Sequence, residues 1–281
     1  MIRGQKGHSH FSFLIPHLSM SPEITATAVQ QLRARTGVGI VAVKQALQDA
    51  GGDEEKAIEL LRKRGLSQAV KKADRDQTEG GIFIAESAGK ASLIVLKCET
   101  DFVGRNEAFQ ALGQELATAL AKDGSVKAKA LADAKLPEAV QKLGENISVG
   151  ETLEVTAPVI GSYVHSNRKI GVIIGMESGD VAKAKDVAMH AAAMNPMYVH
   201  PDDVPAEAIA KEKEIWQEQM KKDPSAGKKP PEILEKIMMG KERKFREENA
   251  LIKQAFVKDT SMTVEKYLGG AKVSSYQRVA I

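Results

Sequence analysis

The chain has 281 residues, which is enough for two or three domains and a sizeable hydrophobic core. Its 40 lysine and arginine residues nearly balance 37 aspartate and glutamate residues, and aromatic residues make up only 4%. A nearly neutral surface with few rings argues against a dedicated nucleic-acid-binding platform. Cys98 is the only cysteine, so no disulfide can form within the chain, and no apolar run approaches the length of a transmembrane helix. We therefore expect a cytoplasmic protein with no membrane partner.

The first nineteen residues differ from the rest of the chain, since they carry basic residues and three histidines but no acidic residue. Two interpretations stay open. Organelle-targeting segments are typically basic and poor in acids, and the protein would then work in an organelle matrix. Alternatively, the sequence begins upstream of the working protein, which would then start at Met20. We favour the second interpretation and expect residues 1–19 to be a disordered or non-native extension.

Three short amphipathic helices are predicted between residues 20 and 73, because apolar residues recur there at spacings of three and four. The first helix is expected to end near Gly37 and the second at Gly51. The third begins after Asp53, a good helix N-cap, and is expected to stop at Gly65, since glycine is typical of helix C-termini. One apolar face on each helix predicts a small helical bundle.

A β-hairpin followed by a helix is predicted next. Residues 82–86 and 91–97 are β-prone runs on either side of a short turn that contains a glycine. The second run is apolar at both odd and even positions, which predicts a strand buried on both faces. Apolar residues at helical spacing then predict a helix from about Asn106 to Ala121.

The same order of elements occurs again about 80 residues later, with β-prone runs at 159–164 and 170–176 and a helical pattern at 181–193. We interpret this order as an internal structural repeat. It predicts an α+β fold in which two related hairpin-helix subdomains, residues 74–158 and 159–281, follow the N-terminal three-helix bundle.

Residues 205–250 are dense in lysine and glutamate and have few apolar positions, and a segment rich in proline and glycine at 222–231 divides them. Two charged segments joined by such a turn predict an antiparallel helical hairpin inserted in the second subdomain. Its narrow apolar stripe is typical of a two-helix seam rather than of a core helix.

The inventory of catalytic side chains is thin. Cys98 could act as a nucleophile only with a paired base, and the spacing of His165 and His190 indicates no such pair. Gly37 and Gly39 lie between two predicted helices rather than after a strand, and no Lys-Ser/Thr ending follows, so they do not form a phosphate-binding loop. We therefore predict no catalytic, cofactor-binding or metal site, and no direct nucleotide binding.

The segment Glu99–Glu107 connects the predicted buried strand to the predicted helix, and it places the apolar Phe102 and Val103 among charged residues. Two interpretations fit this pattern. Phe102 could pack on its own helix as a hydrophobic staple. It could instead be exposed for contact with another molecule. The pattern alone favours the staple.

Several ordered motifs resemble the elongation factor Ts family. Residues 100–106, Thr-Asp-Phe-Val-Gly-Arg-Asn, resemble its Thr-Asp-Phe-Val-Ala-Lys/Arg-Asn signature, with Gly104 in the alanine position. Residues 32–39, Leu-Arg-Ala-Arg-Thr-Gly-Val-Gly, resemble its N-terminal motif, and Met189–Ala193 resembles a third motif. The resemblance extends from about Glu23 to about Leu268.

The resemblance implies that the protein is not an enzyme but a guanine nucleotide exchange factor that binds the G domain of the translational GTPase EF-Tu. It implies that a loop of Thr100, Asp101, Phe102 and Val103 disturbs the magnesium and phosphate site of EF-Tu, so that GDP leaves and GTP can bind. The family's other partner-binding positions correspond here to Arg33, Gly37, Val38, Gly39, Ile40, Val41, Lys44, Arg105, Asn106 and His165.

The resemblance also implies a UBA-like fold for the N-terminal bundle and a coiled coil for the hairpin at about 205–250. The sequence departs from the family pattern at Ile40–Val43 and at Gly150–Glu151, which leaves the contacts expected there open. An alternative function is an RNA- or ribosome-associated binding module without exchange activity. The basic residues available to such a module are Lys63, Arg64, Lys71, Lys72 and Arg75.

Overall fold

The structure is a computed structural model that describes residues 24–222 and 230–281. The chain divides into two compact units, Met1–Arg64 and Gly65–Ile281. The extension expected at residues 1–19 lies outside the described residues. Among the helices of the described ranges, none is long and apolar enough to cross a bilayer.

The first unit contains α1 (Ala26–Thr36), α2 (Ile40–Asp49) and the beginning of α3 (Glu54–Lys72). The hydroxyl oxygen of Thr25 accepts a hydrogen bond from the Ala28 amide at 3.2 Å and thereby caps α1. The helices turn their apolar stripes towards one another, as the spacing of three and four predicts. The buried side chains of this core are Val29, Leu32, Val38, Val43, Ala46, Leu47, Ala57 and Leu61.

The prediction that the third helix stops at Gly65 is wrong, because α3 continues to Lys72. Gly65 does not have the left-handed backbone of a helix C-cap glycine. A neighbouring helix, α6 (Ser125–Leu143), explains the glycine instead. A Cβ at position 65 would lie 3.0 Å from the carbonyl oxygen of Pro137 in α6, so a side chain there would push the backbone of α6 away.

The second unit is built around two three-stranded antiparallel sheets. The strands of the first sheet, in spatial order, are β1 (Glu79–Ser87), β2 (Lys90–Cys98) and β3 (Ser148–Thr156). Those of the second are β4 (Val159–Val164), β5 (Ile170–Met176) and β8 (Val273–Ala280). A small ribbon consists of β6 (Ala255–Phe256) and β7 (Asp259–Thr263). Helices together with antiparallel sheets confirm the predicted α+β class.

The helices that follow the hairpins lie where the sequence predicts them, whereas α6 and β3 have no counterpart in the sequence analysis. The helix predicted from about Asn106 is α5 (Glu107–Asp123), and Asn106 is its N-cap. The hydrophobic pattern over the α6 sequence is weak because the helix contains Pro137 and buries the small residues Ala128 and Ala132. The remaining helices of the unit are α4 (Asp101–Gly104), α5 (Glu107–Asp123), α7 (Val181–Met194), α8 (Ala206–Lys222), α9 (Pro231–Asn249) and α10 (Val264–Leu268).

The two sheets pack face to face, and helices cover their outer faces. On β2, Ile94 and Leu96 pack against α5 and α6, whereas Leu93 and Val95 pack against the second sheet. On β5, Ile173 faces the first sheet, and its sequence neighbours pack against α7. The layers are therefore helix, sheet, sheet and helix. Strand β2 is buried on both faces, which confirms the prediction from its unbroken apolar run.

Helices α8 and α9 pack against each other through an aromatic contact. Trp216 of α8 meets Phe245 of α9 edge-on, with 5.9 Å between ring centroids. Arg246, near the end of α9, donates to the carbonyl oxygens of Pro201 and Val204, which precede α8, so the two helices run in opposite directions. Most of the predicted break between them lies outside the described residues.

His190 of α7 is fully buried, as expected for a packed histidine. Its Nδ1 accepts a hydrogen bond from the Val257 amide at 3.1 Å, and its Nε2–H donates to Oε1 of Gln254 at 3.0 Å. The neutral ring therefore uses both nitrogens. Burial lowers the pKa of His190 below its ordinary value, and the hydrogen bond to Gln254 opposes this effect only partly.

Gly113→Ala is expected to lower the free energy of unfolding by about 1–3 kcal/mol through overpacking. The new Cβ in α5 would lie 2.3 Å from the ring of Phe83. Gly240→Ala in α9 is the matched control, because no atom lies within 4 Å of its Cβ position. The control should be neutral or stabilising by up to about 1 kcal/mol. Urea denaturation measures both, and equal shifts would contradict the packing of α5 on β1.

Acidification is expected to destabilise the protein partly through His190. The unfolded state, in which the imidazole has its ordinary pKa of 6.5, takes up a proton that the folded state resists. The contribution of the neutral His190 to the free energy of unfolding is therefore complete above about pH 6.5. It is lost as the pH falls through the lower pKa of the folded state. We expect His190→Gln to show a shallower fall of unfolding free energy between pH 7.5 and 5 in urea titrations. Identical pH dependences in the two proteins would contradict the neutral buried ring.

Candidate functional site

The segment Thr100–Val103 lies where the buried strand β2 ends and the chain turns into α4. Thr100 has an extended backbone and is the N-cap of α4, and its hydroxyl oxygen accepts a hydrogen bond from the Val103 amide at 3.4 Å. Cys98, the last residue of β2, donates its thiol hydrogen to the carbonyl oxygen of Thr100 at 3.2 Å. The local chain path is therefore set by hydrogen bonds as well as by the strand.

Glu145, which follows α6, holds this turn from outside. Its Oε2 accepts hydrogen bonds from the amides of Glu99 and Thr100, both at 3.0 Å. Its Oε1 accepts the hydroxyl hydrogen of Thr100 at 2.5 Å. In return, Oε1 of Glu99 accepts from the amide of Asn146 at 2.7 Å. The turn and the residues after α6 thus form a reciprocal set of hydrogen bonds to carboxylates, which are stronger than neutral ones.

Phe102 and Val103 point in opposite directions. Val103 is 9% exposed and belongs to the core between the first sheet and α5. Phe102 is 82% exposed, so the interpretation of Phe102 as a hydrophobic staple on its own helix is wrong. Beside it, Asp101 pairs with Arg105 at 3.0 Å on the surface. A large apolar ring therefore projects into solvent with a carboxylate and a guanidinium at its base.

A polar groove of about 480 Å³ brings this turn together with the turn between β4 and β5. Asp101, Gly104 and Arg105 line one side, and residues 166–169 line the other. His165, at the start of the second turn, is exposed, and its Nδ1 lies 3.1 Å from the hydroxyl of Tyr163. Two predicted parts of the site, about 60 residues apart in sequence, thus lie on adjoining turns.

The second turn is fixed to the first sheet. Nζ of Lys169 lies 2.6 Å from Oε2 of Glu79 and donates to the carbonyl oxygen of Gly80 at 3.0 Å. The carbonyl oxygen of Arg168 accepts from the amide of Ile82 at 2.8 Å. The guanidinium of Arg168 lies 4.9 Å from the centre of the Phe83 ring. These contacts set the position of the second turn relative to the groove.

Seven predicted partner-binding residues belong to the first unit. Ile40 and Val41 are 52% and 80% exposed, and the charged side chains there are exposed as well. Val38, by contrast, is buried in the core of the unit, so its side chain is not available to a partner. Gly37 has a left-handed backbone, φ 66°, and turns the chain between α1 and α2. The seven residues are Arg33, Gly37, Val38, Gly39, Ile40, Val41 and Lys44.

The structure argues against a nucleophilic role for Cys98. The thiol is fully buried, and burial, followed by the negative charge of Glu145, raises its pKa to about 11. His190 is engaged with Gln254 and Val257, and His165 with Tyr163. Residues 24–222 and 230–281 contain no group of three or more His, Cys, Asp or Glu side chains that could hold a metal ion.

The basic residues of the RNA-binding alternative are mostly engaged within their own units. In the first unit, Lys63 pairs with Glu59 at 2.7 Å and Arg64 pairs with Asp49. In the second unit, Arg75 lies 3.5 Å from Glu99 and Lys72 donates to a backbone carbonyl oxygen. A positive surface free to bind phosphates is therefore smaller than the sequence suggests.

The family of the chain follows from its similarity to known proteins. A model of the family described as "Elongation factor TS" matches residues 99–281. The elongation factor Ts of Deinococcus deserti is 42% identical over 268 residues, which cover 90% of this chain and 98% of the relative. The chain belongs to the elongation factor Ts family. Elongation factor Ts proteins of Xanthomonas axonopodis pv. citri and Francisella tularensis subsp. novicida are 42% and 43% identical over 92% of this chain and 92% of their own lengths.

Members of the elongation factor Ts family act in protein biosynthesis as nucleotide exchange factors. The family match begins at Glu99, the first residue of the turn after β2, and it includes both turns of the groove. The residue that sequence reasoning missed at this site is Glu145. Its role depends on a contact across 45 residues of chain, and no spacing or composition signal indicates it.

Cys98 is expected to resist labelling in the folded protein. A pKa of about 11 leaves well below about one thiolate in a thousand at pH 7.5, and the buried sulfur excludes the reagent. A disulfide-exchange reagent followed by absorbance should react at least about a hundredfold faster after unfolding in urea than before. Rapid stoichiometric labelling of the native protein would instead support a nucleophilic role for Cys98.

Proposed function

We propose that the protein is a guanine nucleotide exchange factor that binds EF-Tu carrying GDP, promotes release of the GDP, and so allows GTP to bind. The observation that carries this proposal is the 82% exposed Phe102 on a turn whose backbone is fixed by Glu145. An exposed aromatic ring on a fixed turn is a typical anchor for a partner's pocket. Family membership supplies the partner class.

The proposed mechanism is displacement of the magnesium and phosphate contacts of the partner. Phe102 enters a pocket of the EF-Tu G domain, and the carboxylate of Asp101 competes for hydrogen-bond donors near the magnesium site. Magnesium bridges the phosphates and a protein hydroxyl in such GTPases, so a small shift of its ligands weakens nucleotide binding. The factor needs no contact with GDP, because higher affinity for the nucleotide-free partner lowers the partner's affinity for GDP by linkage.

Further contacts are assigned to both units. Exposed Ile40 and Val41 of the first unit provide an apolar patch for the G domain, with Arg33 and Lys44 as charged neighbours. The buried Val38 and the neighbouring glycines act through the backbone path. In the second unit, Arg105 and His165 contact the partner from the two adjoining turns, and Asn106 supports them as the cap of α5. These roles extend the contact beyond the Thr100–Val103 turn.

The finer architecture is also part of the proposal. The first three helices form a UBA-like domain within residues 20–73, and the hairpin-helix segments form two related subdomains, 74–158 and 159–281. The antiparallel pair α8 and α9 is the protruding coiled coil of the second subdomain. The protein acts in the cytoplasm, in keeping with its place in translation.

The decisive experiment is release of fluorescent GDP from EF-Tu, followed by stopped flow with and without the protein. We expect a large acceleration by the wild type. Phe102→Ala should lower the accelerated rate by at least about tenfold, which corresponds to about 1.4 kcal/mol of lost transition-state stabilisation. Asp101→Ala should lower it as well, by a smaller factor. Both side chains are at the surface, so melting temperatures should stay near that of the wild type.

The matched control is Val126→Ala on α6, which removes another highly exposed apolar side chain, 81% exposed, from the same unit. It should leave the release rate unchanged. No acceleration by the wild type would refute the proposed function. Equal rates for the wild type and Phe102→Ala would refute the role of the turn while leaving the function in place.

A further inference from the structure

The turn that carries Phe102 has little internal support. Helix α4 has four residues, and its backbone bonds include those from Gly104 to Thr100 at 3.2 Å, from Arg105 to Asp101 at 3.0 Å and from Asn106 to Val103 at 2.9 Å. A single helical turn is unfavourable in isolation, because fixing its backbone costs more entropy than its few hydrogen bonds return. The orientation of Phe102 therefore depends on contacts from outside the turn.

Beside the packing of Val103 in the core, Glu145 supplies polar contacts to the turn with both oxygens of its carboxylate. It accepts from the amides of Glu99 and Thr100 and from the hydroxyl of Thr100. A hydroxyl has one hydrogen, so donation to Glu145 turns a lone pair of the same oxygen towards the Val103 amide, which it caps at 3.4 Å. The carboxylate thus fixes the two amides before the helix and also the rotation of the capping side chain.

Glu145 is itself fixed on both sides in the sequence. It follows Gly144, the left-handed residue that ends α6. It precedes Asn146, which is 6% exposed and whose side-chain amide donates to the carbonyl oxygens of Ala73 and Arg75 at 3.2 and 3.0 Å. The backbone amide of Asn146 donates to Oε1 of Glu99 at 2.7 Å. The carboxylate therefore has a defined position, set by the end of α6 and by the segment after α3.

We propose that Glu145 is the positioning residue of the exchange turn: it does not touch the partner, and it holds Thr100 so that Phe102 projects at one fixed angle. This inference rests on the proposed exchange function and adds a residue to it. Without the carboxylate, the turn samples several orientations, and only a fraction of encounters place Phe102 correctly. The loss falls on the rate of the bound complex more than on its affinity, because the rest of the contact surface is unchanged.

Four variants test the inference. Glu145→Gln keeps the size of the side chain but replaces one accepting oxygen with an amide donor, which faces donors of the turn. Thr100→Val removes the hydroxyl and keeps the shape, whereas Thr100→Ser keeps the hydroxyl. Glu154→Gln on β3 is the matched control, because it makes the same chemical change at an exposed position of the same unit.

The main readout is GDP release from EF-Tu over a range of factor concentrations. We expect Glu145→Gln to lower the maximal rate by about tenfold while the half-saturating concentration changes by less than about twofold. Thr100→Val should lower the maximal rate several-fold more than Thr100→Ser does, and Glu154→Gln should keep the wild-type rate. The double variant Glu145→Gln with Thr100→Val should lose less than the product of the two single losses, because the two substitutions share the Thr100–Glu145 hydrogen bond.

Hydrogen exchange measured on the free protein gives a second readout. The amides of Glu99 and Thr100 should lose protection in Glu145→Gln, whereas the amides of β2 that pair with β1 should keep it. If Glu145→Gln does not fold, Thr100→Val tests the same inference.

Three results would overturn the inference. A wild-type rate in Glu145→Gln would do so while leaving the exchange function intact. Equal losses of maximal rate, of affinity and of hydrogen-exchange protection throughout the sheet would show that Glu145 only stabilises the fold. No acceleration by the wild type would remove the proposed function and this inference together.

Discussion

The burial of β2 on both faces is the constraint from which the rest of the second unit follows. Ile94 and Leu96 are buried between the first sheet and α5. Leu93 and Val95 are buried between the two sheets. Fully burying a large aliphatic side chain is worth about 1.5–3 kcal/mol, so a strand packed on both sides cannot shift its register without large losses. The end of β2 at Cys98 is therefore fixed, and with it the start of the turn that follows.

The turn after β2 divides adjacent apolar residues between the core and the solvent. Val103 packs in the core against α5, whereas Phe102 is exposed to solvent in the free protein. The exposed ring adds no burial energy to folding. Its burial in a partner's pocket instead stabilises the complex, which is how binding anchors differ from core residues. Glu145 makes this arrangement possible because it satisfies the backbone amides that a strand end and a helix start leave unpaired.

Much of the fold could be predicted from the sequence, because its strongest signals are local. The unbroken apolar run at 91–97 predicted a two-sided strand, and Asn106 marked the start of α5 correctly. The predicted helix end at Gly65 was wrong, because the glycine there allows close approach of the chain to Pro137 and does not end the helix. Helix α6 was missed because small residues and an internal proline obscure its apolar face.

The candidate site was less accessible to sequence reasoning than the fold. Pattern alone favoured a buried Phe102, and only the resemblance to the elongation factor Ts family indicated an exposed one. The physical reason is that a loop pattern does not specify which of two adjacent apolar residues faces the core; packing against α5 decides it. Glu145 acts across 45 residues of chain, and such a contact has no periodicity that a single sequence could reveal.

The central claim is that the ring at position 102 enters the nucleotide-binding region of EF-Tu. Replacement of Phe102 by a photoreactive benzophenone amino acid, followed by irradiation of the complex and mass spectrometry, tests it most directly. Cross-links concentrated in the G domain around the magnesium and phosphate site are predicted, with none from the same group placed at the exposed position 126. Cross-links confined to other domains of EF-Tu, or no difference between positions 102 and 126, would contradict the claim.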